Sequence, residues 1–389
     1  MRGRDHRLEE LRNRIPEVSP EDTERLARDG AVLVDVREPD EHAEGSPAGA
    51  LRLGRGYLEL RIEEQVPDRD RTVLVLCSSG ARSLFAAESL LGLGYRDVRS
   101  VAGGFEAWRR AGLPCEQPAV LAGADRQRYA RQILLPEVGE AGQGKLAAAR
   151  VLLAGAGGLG SPAALYLAAA GVGTLGIVDD DAVELSNLHR QILHTHDRVG
   201  IAKTDSAGQA LRALNPAVRI EPHKLRLSSA NAESIVADYD LVVDGTDNFP
   251  TRYLLNDVCV KLGRPYIYGS VFRFEGQLAV MWPGAGERGE FPCYRCLYPA
   301  PPPAELAPSC AEAGVLGVLP GVIGTLQAVE AIKLTLGAGR PLLGRLLCYD
   351  ALAATFREFR VKADPQCAYC GGAGDFPGYA DYEAFCRNA

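Results

Sequence analysis

The chain has 389 residues, 47% hydrophobic and 24% charged, which is ordinary for a soluble globular protein and long enough for two domains. A net charge of −7 and a pI near 5.6 argue against the broad basic face that nucleic acid requires. The polar start Met-Arg-Gly-Arg-Asp-His-Arg has no apolar run behind it, so no secretory signal is expected. The most apolar stretches, 151–178 and 314–332, are broken by glycine and proline and read as buried α/β elements rather than membrane spans. A cytoplasmic protein is expected, and there ten cysteines point to metal binding or catalysis before disulfides.

Residues 31–36 and 72–77 are β-branched runs, each followed by turn residues and then a helical pattern such as 82–93. This predicts a small α/β domain with buried parallel strands over residues 1–118, closed by the prolines at 114 and 118. Residues 116–125 read as a linker or crossover segment. Cys77 ends the second strand and opens the loop Cys-Ser-Ser-Gly-Ala-Arg-Ser, just before a helix. Such a loop aims backbone N–H groups and a helix dipole at the sulfur, and Arg82 adds a positive charge. Both lower a thiol from its usual pKa of about 8.5 and suit a thiolate or a persulfide.

With Leu-Val-Asp-Val-Arg-Glu at 33–38 and Gly-Gly-Phe-Glu-Ala-Trp at 103–108, residues of about 20–118 resemble the rhodanese sulfurtransferases. The loop has four residues between Cys77 and Arg82, one fewer than cysteine phosphatases of related shape, which argues against phosphatase chemistry. Two departures stand out. Ser78 replaces a second basic residue found in many rhodaneses, and Ser46 stands where a histidine is common. The first weakens capture of a small anion such as thiosulfate. It does less harm when a protein, such as a cysteine desulfurase, hands over the sulfur.

A second α/β pattern fills residues 119–389. The strand 150–154, the helix 162–171 and the strand 174–179 make one βαβ unit, and a later strand, 241–244, ends at further acidic residues. Open sheets of this kind hold ligands at the C-terminal ends of their strands. Residues 155–160 read Gly-Ala-Gly-Gly-Leu-Gly, and Asp179 follows 24 residues after Gly155, placed to take ribose hydroxyls. The glycine loop alone does not separate NAD from ATP. The next residues do: Asp180 and Asp181, the run 186–191 (Ser-Asn-Leu-His-Arg-Gln), Lys203 and the run 245–248 (Gly-Thr-Asp-Asn). An arginine, a lysine and a second strand-end aspartate suit a nucleoside triphosphate, with Arg190 and Lys203 facing phosphates and Asp247 holding Mg²⁺.

Two C-x2-C hooks, Cys293/Cys296 and Cys367/Cys370, predict a closed, structural zinc site of four cysteines. A redox-active cysteine pair is the competing reading. The proline-rich segment 299–308 reads as an exposed loop, and Cys310 follows it, 14 residues after Cys296. Cys115, Cys259, Cys348 and Cys386 have no motif around them and are expected to be structural thiols.

Taken with Arg-Tyr-Ala-Arg-Gln-Ile at 128–133, these motifs make residues 125–370 resemble the MoeB/ThiF adenylyltransferases, relatives of the ubiquitin-activating enzymes. The fold expected is α/β: a small rhodanese α/β domain followed by a Rossmann-like adenylation domain with a four-cysteine zinc site. The resemblance implies Gly158 under the phosphates, Asp179 on the ribose, and Ser186, Asn187, Leu188, His189 and Arg190 lining the nucleotide. Lys203 contacts the phosphates, and Asp247 with Asn248 completes the Mg·ATP site. The arginine matching Arg131 reaches into the partner's ATP site in this family, which implies a homodimer. Cys310 matches a cysteine that family members use in a thioester or acyl-disulfide step.

The function expected is ATP-dependent adenylation of the C-terminal glycine of a ubiquitin-like sulfur carrier ending in Gly-Gly. Sulfur transfer from a Cys77 persulfide, assisted by Arg82 and Cys310, then makes a thiocarboxylate. The region from 293 to 310 looks closest to the molybdopterin and tRNA-thiolation branch. The alternatives are an adenylyltransferase with a regulatory or inactive rhodanese domain, a nicotinamide oxidoreductase, and a non-catalytic zinc-stabilised scaffold.

Overall fold

The computed structural model describes residues 3–38, 41–116, 123–287, 289–302, 314–371 and 376–387. They form two compact units, Met1–Ala122 and Gly123–Ala389. The division falls inside the segment expected as a linker, although its last residues begin the short helix Gly123–Arg128.

The first unit is built on a parallel sheet of five strands in the order Glu17–Val18, Val98–Val101, Val73–Leu76, Val32–Asp35, Leu51–Arg52. Val73–Leu76 is buried throughout because helices cover both faces of the sheet, which is what an uninterrupted β-branched run requires. Leu11, Ile15, Val75, Leu84 and Leu90 pack on one face, and Leu33, Leu74 and Trp108 on the other. The helix Pro20–Arg28 starts where Ser19 accepts a hydrogen bond from the Asp22 amide, with proline in its first turn. The helix expected at 82–93 runs Ala81–Gly92.

The second unit carries a mixed sheet of eight strands. Its parallel half runs Arg219–His223, Thr174–Val178, Arg150–Ala154, Leu241–Asp244, Tyr266–Phe272. Its antiparallel half adds Glu275–Met281, Arg345–Asp350 and Thr355–Arg360. The chain leaves Arg150–Ala154 toward one edge and returns to place Leu241–Asp244 on its other side. The strand order therefore reverses between these two strands, and a crevice opens at their C-terminal ends. The helix expected at 162–171 runs Gly160–Ala170, so the last glycine of the loop is already its first residue. The apolar helix Leu319–Leu336 packs against Gly160–Ala170 and is a buried core element. Among the described residues, no helix is long and apolar enough to cross a membrane.

Candidate active sites

The crevice at the switch point is a cleft of about 300 Å³. Gly155 has φ +95° and lies against the Gly245 carbonyl, only 2.8 Å from where a Cβ would stand. At Gly160 a Cβ would sit 1.9 Å from the Gly155 carbonyl oxygen. Gly155 is thus required by the close approach of the two strand-end loops and Gly160 by the tight turn within the first, and they leave the start of Gly160–Ala170 open to an anion.

Asp179 stands at the cleft wall, its two oxygens accepting from the Ala156 amide (2.8 Å) and the Asp181 amide (2.9 Å). Burial pushes its carboxyl up, opposed mainly by Lys203. The Lys203 ammonium is itself buried, 2.7 Å from Asp181 and 3.9 Å from Asp179. Arg190 lines the cleft and is aimed by hydrogen bonds to the Ser186 carbonyl (3.2 Å) and His189 Nε2 (2.8 Å). Gly158, Asp247 and Asn248 line the same cleft.

The expected nucleotide residues divide here. Gly158, Asp179, Arg190, Lys203, Asp247 and Asn248 share one cleft, whereas Ser186, Asn187, Leu188 and His189 lie outside its lining. Asn187 accepts from the Gln191 amide at 2.5 Å, and Ser186 and His189 brace Arg190. Arg131 is exposed on the helix Ala130–Ile133 and does not line the cleft either. Cys310 lies outside the described residues, as does most of the segment expected as a proline-rich loop.

Several lining residues had no sequence assignment: Gln191, Arg252, the run Leu225 to Leu227, Val271 and Pro320. Arg252 is findable from spacing. Asn248 caps the helix Phe249–Leu262, and a residue four positions on returns to the same face. Its guanidinium donates to the Thr246 carbonyl at 3.0 Å and approaches the buried Asp244 carboxylate at 3.8 Å. Asp244 is pushed up by burial and held by Tyr266 (2.6 Å) and by the Thr246 amide and hydroxyl. Gln191 Oε1 and Arg252 Nε are buried without a hydrogen bond among the described residues, although Arg252 Nε is the atom 3.8 Å from Asp244, and this fits a cleft built to hold a polar ligand.

The four hook cysteines meet in one cluster, with Sγ separations of 3.7 Å (Cys293 to Cys367), 3.9 Å (Cys293 to Cys296) and 3.3 Å (Cys296 to Cys370). A tetrahedron with Zn–S bonds of about 2.3 Å has S···S edges of about 3.8 Å, so this donor set fits a closed tetrahedral ion. The Asp364 amide donates to Cys296 Sγ at 3.3 Å, as expected around a charged thiolate. Cys259 is buried, and its apolar surroundings push the thiol up.

In the first unit Cys77 is buried at the base of its loop, with Sγ receiving the Gly80 amide at 3.2 Å and standing 3.5 Å from the Ser83 hydroxyl. The glycines at 103 and 104 explain the second motif. Gly104 has φ +57°, and a Cβ there would sit 2.3 Å from the Cys77 carbonyl. Its absence lets the Phe105 and Glu106 amides donate to the Cys77 and Ser78 carbonyls. The motif at 33–38 supplies Asp35, fully buried. Burial opposes its ionisation, but His42, Arg37 and Ser46 hold its carboxyl well below the usual carboxylate range. Ser46, the residue that departs from the usual histidine, donates to Asp35 at 2.6 Å and closes this network. Arg82 interacts electrostatically with Cys77, and its guanidinium also makes two 2.6 Å hydrogen bonds to Glu41.

A doubly wound sheet with a glycine loop, a cleft lined by both cations and carboxylates, and a four-cysteine cluster, preceded by a parallel sheet with a strand-end cysteine loop, defines a nucleotide-binding α/β protein joined to a sulfurtransferase-like domain. Residues 129–369 match the ThiF family and residues 19–111 the rhodanese-like domain, and the chain belongs to the ThiF family. It is 54% identical over 261 residues to the sulfur carrier protein adenylyltransferase of Thermus thermophilus, covering 67% of this chain and 96% of that one. It is 49% identical over 304 residues to the adenylyltransferase and sulfurtransferase MOCS3 of Bos taurus, covering 78% of this chain and 66% of the relative. The probable adenylyltransferase/sulfurtransferase MoeZ of Mycobacterium tuberculosis is 48% identical, with 70% and 68% covered. The fold is also that of Escherichia coli MccB, with a TM-score of 0.55 at 22% identity over 66% of this chain and 76% of that one.

Proposed function

We propose that the protein uses Mg·ATP to adenylate the C-terminal glycine of a ubiquitin-like sulfur carrier, then converts the adenylate to a thiocarboxylate with sulfur carried on Cys77. The observation that carries this reading is the meeting of Arg190, Lys203, Asp247 and Arg252 with the glycine loop in one cleft, in a chain that also carries a rhodanese-like domain. The names of the Thermus and Bos relatives support the same two activities.

A carrier carboxylate oxygen attacks the α-phosphorus, the bond to the β-phosphate breaks, and pyrophosphate leaves. The amides after Gly155 and the cations Arg190 and Lys203 balance the phosphate charge, and Asp179 takes the ribose hydroxyls. Asp247 is the residue that would hold Mg²⁺, which when bound would supply neutralising charge for the phosphates. Arg131 of a second copy supplies a further cation, so the working unit is a homodimer. The terminal sulfur of the Cys77 persulfide then attacks the acyl carbon, and AMP leaves with the C–O electron pair. Cys310 attacks Cys77 Sγ, releasing the thiocarboxylate and leaving a Cys77–Cys310 disulfide for a cellular thiol to reduce. The four-cysteine cluster holds Zn²⁺ as a structural ion. The carriers that fit are those of molybdopterin synthesis and tRNA thiolation, working in the cytoplasm with a cysteine desulfurase or another persulfide donor. The domain boundary is placed at 118/119.

The test is to incubate the protein with ATP, a sulfur source and a panel of carriers ending in Gly-Gly. The expected result is an intact-mass gain equal to replacement of oxygen by sulfur on one of them. Pyrophosphate exchange without that gain, unchanged by Cys77→Ala, would instead support an adenylyltransferase with an idle rhodanese domain.

A further inference from the structure

We propose that Arg252 binds the C-terminal carboxylate of the carrier and brings it to the α-phosphate. This role rests on the protein acting as a carrier adenylyltransferase.

The carboxylate is an anion that must approach a polyphosphate, so it needs a cation not already committed to the nucleotide. The cations lining the cleft are Arg190, Lys203, Arg226 and Arg252. Arg190 and Lys203 are the proposed phosphate cations, and Lys203 is paired with Asp181 at 2.7 Å. Arg226 is an exposed side chain turned to Glu383 at 2.6 Å. Arg252 stands apart from all three. The proposed ribose ligand, Asp179, follows the strand Thr174–Val178 on one side of Arg150–Ala154. Arg252 belongs to the helix Phe249–Leu262, which follows Leu241–Asp244 on the other side. The glycine loop lies between them, so Arg252 serves the flank across that loop from the ribose.

A buried arginine is usually the counter-ion of a structural carboxylate, and two others in this chain are. Arg295 closes two 2.8 Å hydrogen bonds on Asp257. Arg37 gives Nε and Nη2 to Asp35 at 3.0 and 2.7 Å. Arg252 is just as buried, at 7% exposed, and a carboxylate is near, yet it does not close on it. Its Nε stands 3.8 Å from Asp244 and makes no hydrogen bond among the described residues. Asp244 does not depend on it. Its oxygens accept from the Tyr266 hydroxyl at 2.6 Å, the Thr246 amide at 2.9 Å and the Thr246 hydroxyl at 2.6 Å. A donor left open in a buried guanidinium is costly unless a ligand completes it.

The guanidinium is also held in place. Nη2 donates to the Thr246 carbonyl at 3.0 Å, which ties it to the loop carrying Asp247 and Asn248. The rings of Phe249 and Tyr268 flank it, with centroids 5.8 and 5.7 Å from Cζ. Such rings keep water away, so a carboxylate meeting Arg252 here is held more firmly than at the surface. The planar fork of donors matches the two oxygens of a carboxylate, which a lysine ammonium does not.

The test uses the full chain and the Gly-Gly carrier that gains sulfur, prepared with its C-terminal carboxylate or as the C-terminal carboxamide. Calorimetry measures carrier binding with saturating α,β-methylene ATP present, and the affinity for that analogue alone. Wild type is expected to prefer the carboxylate by about tenfold. Arg252→Gln should bind the two carrier forms within about twofold of each other and keep its affinity for the analogue within about threefold. Arg252→Lys, which keeps the buried charge and guards against misfolding of the glutamine variant, should retain a preference of about threefold. Equal binding of the two forms by wild type, a full preference in both variants, or an analogue affinity that falls as far as the carrier affinity overturns the role of Arg252. Absence of pyrophosphate exchange in wild type with every carrier of the panel would instead overturn adenylation itself.

Discussion

Arg295 donates two parallel 2.8 Å hydrogen bonds to the Asp257 carboxylate, and both side chains are buried. Arg295 stands between the two cysteines of the first hook, while Asp257 belongs to the helix Phe249–Leu262, which starts at Asn248 in the nucleotide cleft. Tyr382, on the last helix, donates to the same carboxylate at 2.8 Å. One ion pair thus ties the four-cysteine cluster, the cleft and the C-terminal helix together.

Replacing Asp257 with Ala leaves the Arg295 guanidinium buried without its counter-charge. A loss of about 3–5 kcal/mol is expected, because breaking a buried pair costs much more than the pair contributes. Urea denaturation of the full chain, followed by tryptophan fluorescence and far-UV circular dichroism, measures it. A loss under about 1 kcal/mol would mean that solvent reaches Arg295 freely.

The four-cysteine cluster makes a separate prediction. Cys367→Ser removes a thiolate from a buried set whose spacing matches one tetrahedral ion. Purified wild type should carry one zinc per chain by elemental analysis, and the variant much less. Hydrogen exchange should speed up around 293–297 and 364–371, since the hooks hold these segments together, while the first unit stays protected. Equal zinc content in the two proteins would place the metal elsewhere.

Lys203 is expected to matter beyond its single charge. It is buried between Asp181 and Asp179, so Lys203→Ala removes the ammonium proposed to contact the phosphates and leaves two carboxylates facing each other. A fall of about 10²-fold in carrier-dependent ATP–pyrophosphate exchange is expected, the usual cost of one preorganised electrostatic group. Cys77 persulfide loading should be unaffected. Retained exchange would remove Lys203 from the nucleotide site.

How much of this was legible in the sequence depends on how each feature is encoded. The loop at 155–160, the cysteine hooks and the Cys77 loop are local patterns, and each is where its pattern places it. The strands Arg150–Ala154 and Leu241–Asp244 have the bounds expected from their apolar runs. Partnerships across long sequence separations left no local trace. Glu41 meets Arg82 across 41 positions, and Asp257 meets Arg295 across 38. Leu225 to Leu227 enter the cleft only because Arg219–His223 lies two strands from the switch point. Residues 186–190 are expected to line the nucleotide, yet of these only Arg190 lines the cleft, with Gln191 beside it, and the 3-10 turn Leu185–Asn187 lies outside the lining.

His194 gives the last prediction, a pH dependence of stability. Its Nε2 lies 2.9 Å from the Ala156 carbonyl, which only accepts, so Nε2 carries the proton. Nδ1 then accepts from the Ser206 hydroxyl at 2.9 Å, and the buried ring is neutral. Burial pushes its pKa down, the hydrogen bond to the Ala156 carbonyl opposes this, and the nearby Lys203 and Arg198 push down again. The unfolded chain, with an ordinary imidazole near 6.5, therefore takes up the proton first as pH falls. Stability from this group is complete above about pH 6.5 and is lost progressively below it, at up to about 1.4 kcal/mol per pH unit for one proton. His223, also lowered by burial, adds a loss of the same sign, whereas Asp179, raised by burial, opposes it at more acidic pH. The difference between wild type and His194→Gln isolates the His194 share. Urea midpoints from about pH 8 to about pH 5 should fall more steeply for wild type, and parallel curves would mean that His194 is charged, or free to charge, in the folded protein. Because the Ala156 amide also donates to Asp179, the proposed ribose ligand, the same acidification should loosen that end of the cleft and weaken ATP binding before the chain unfolds.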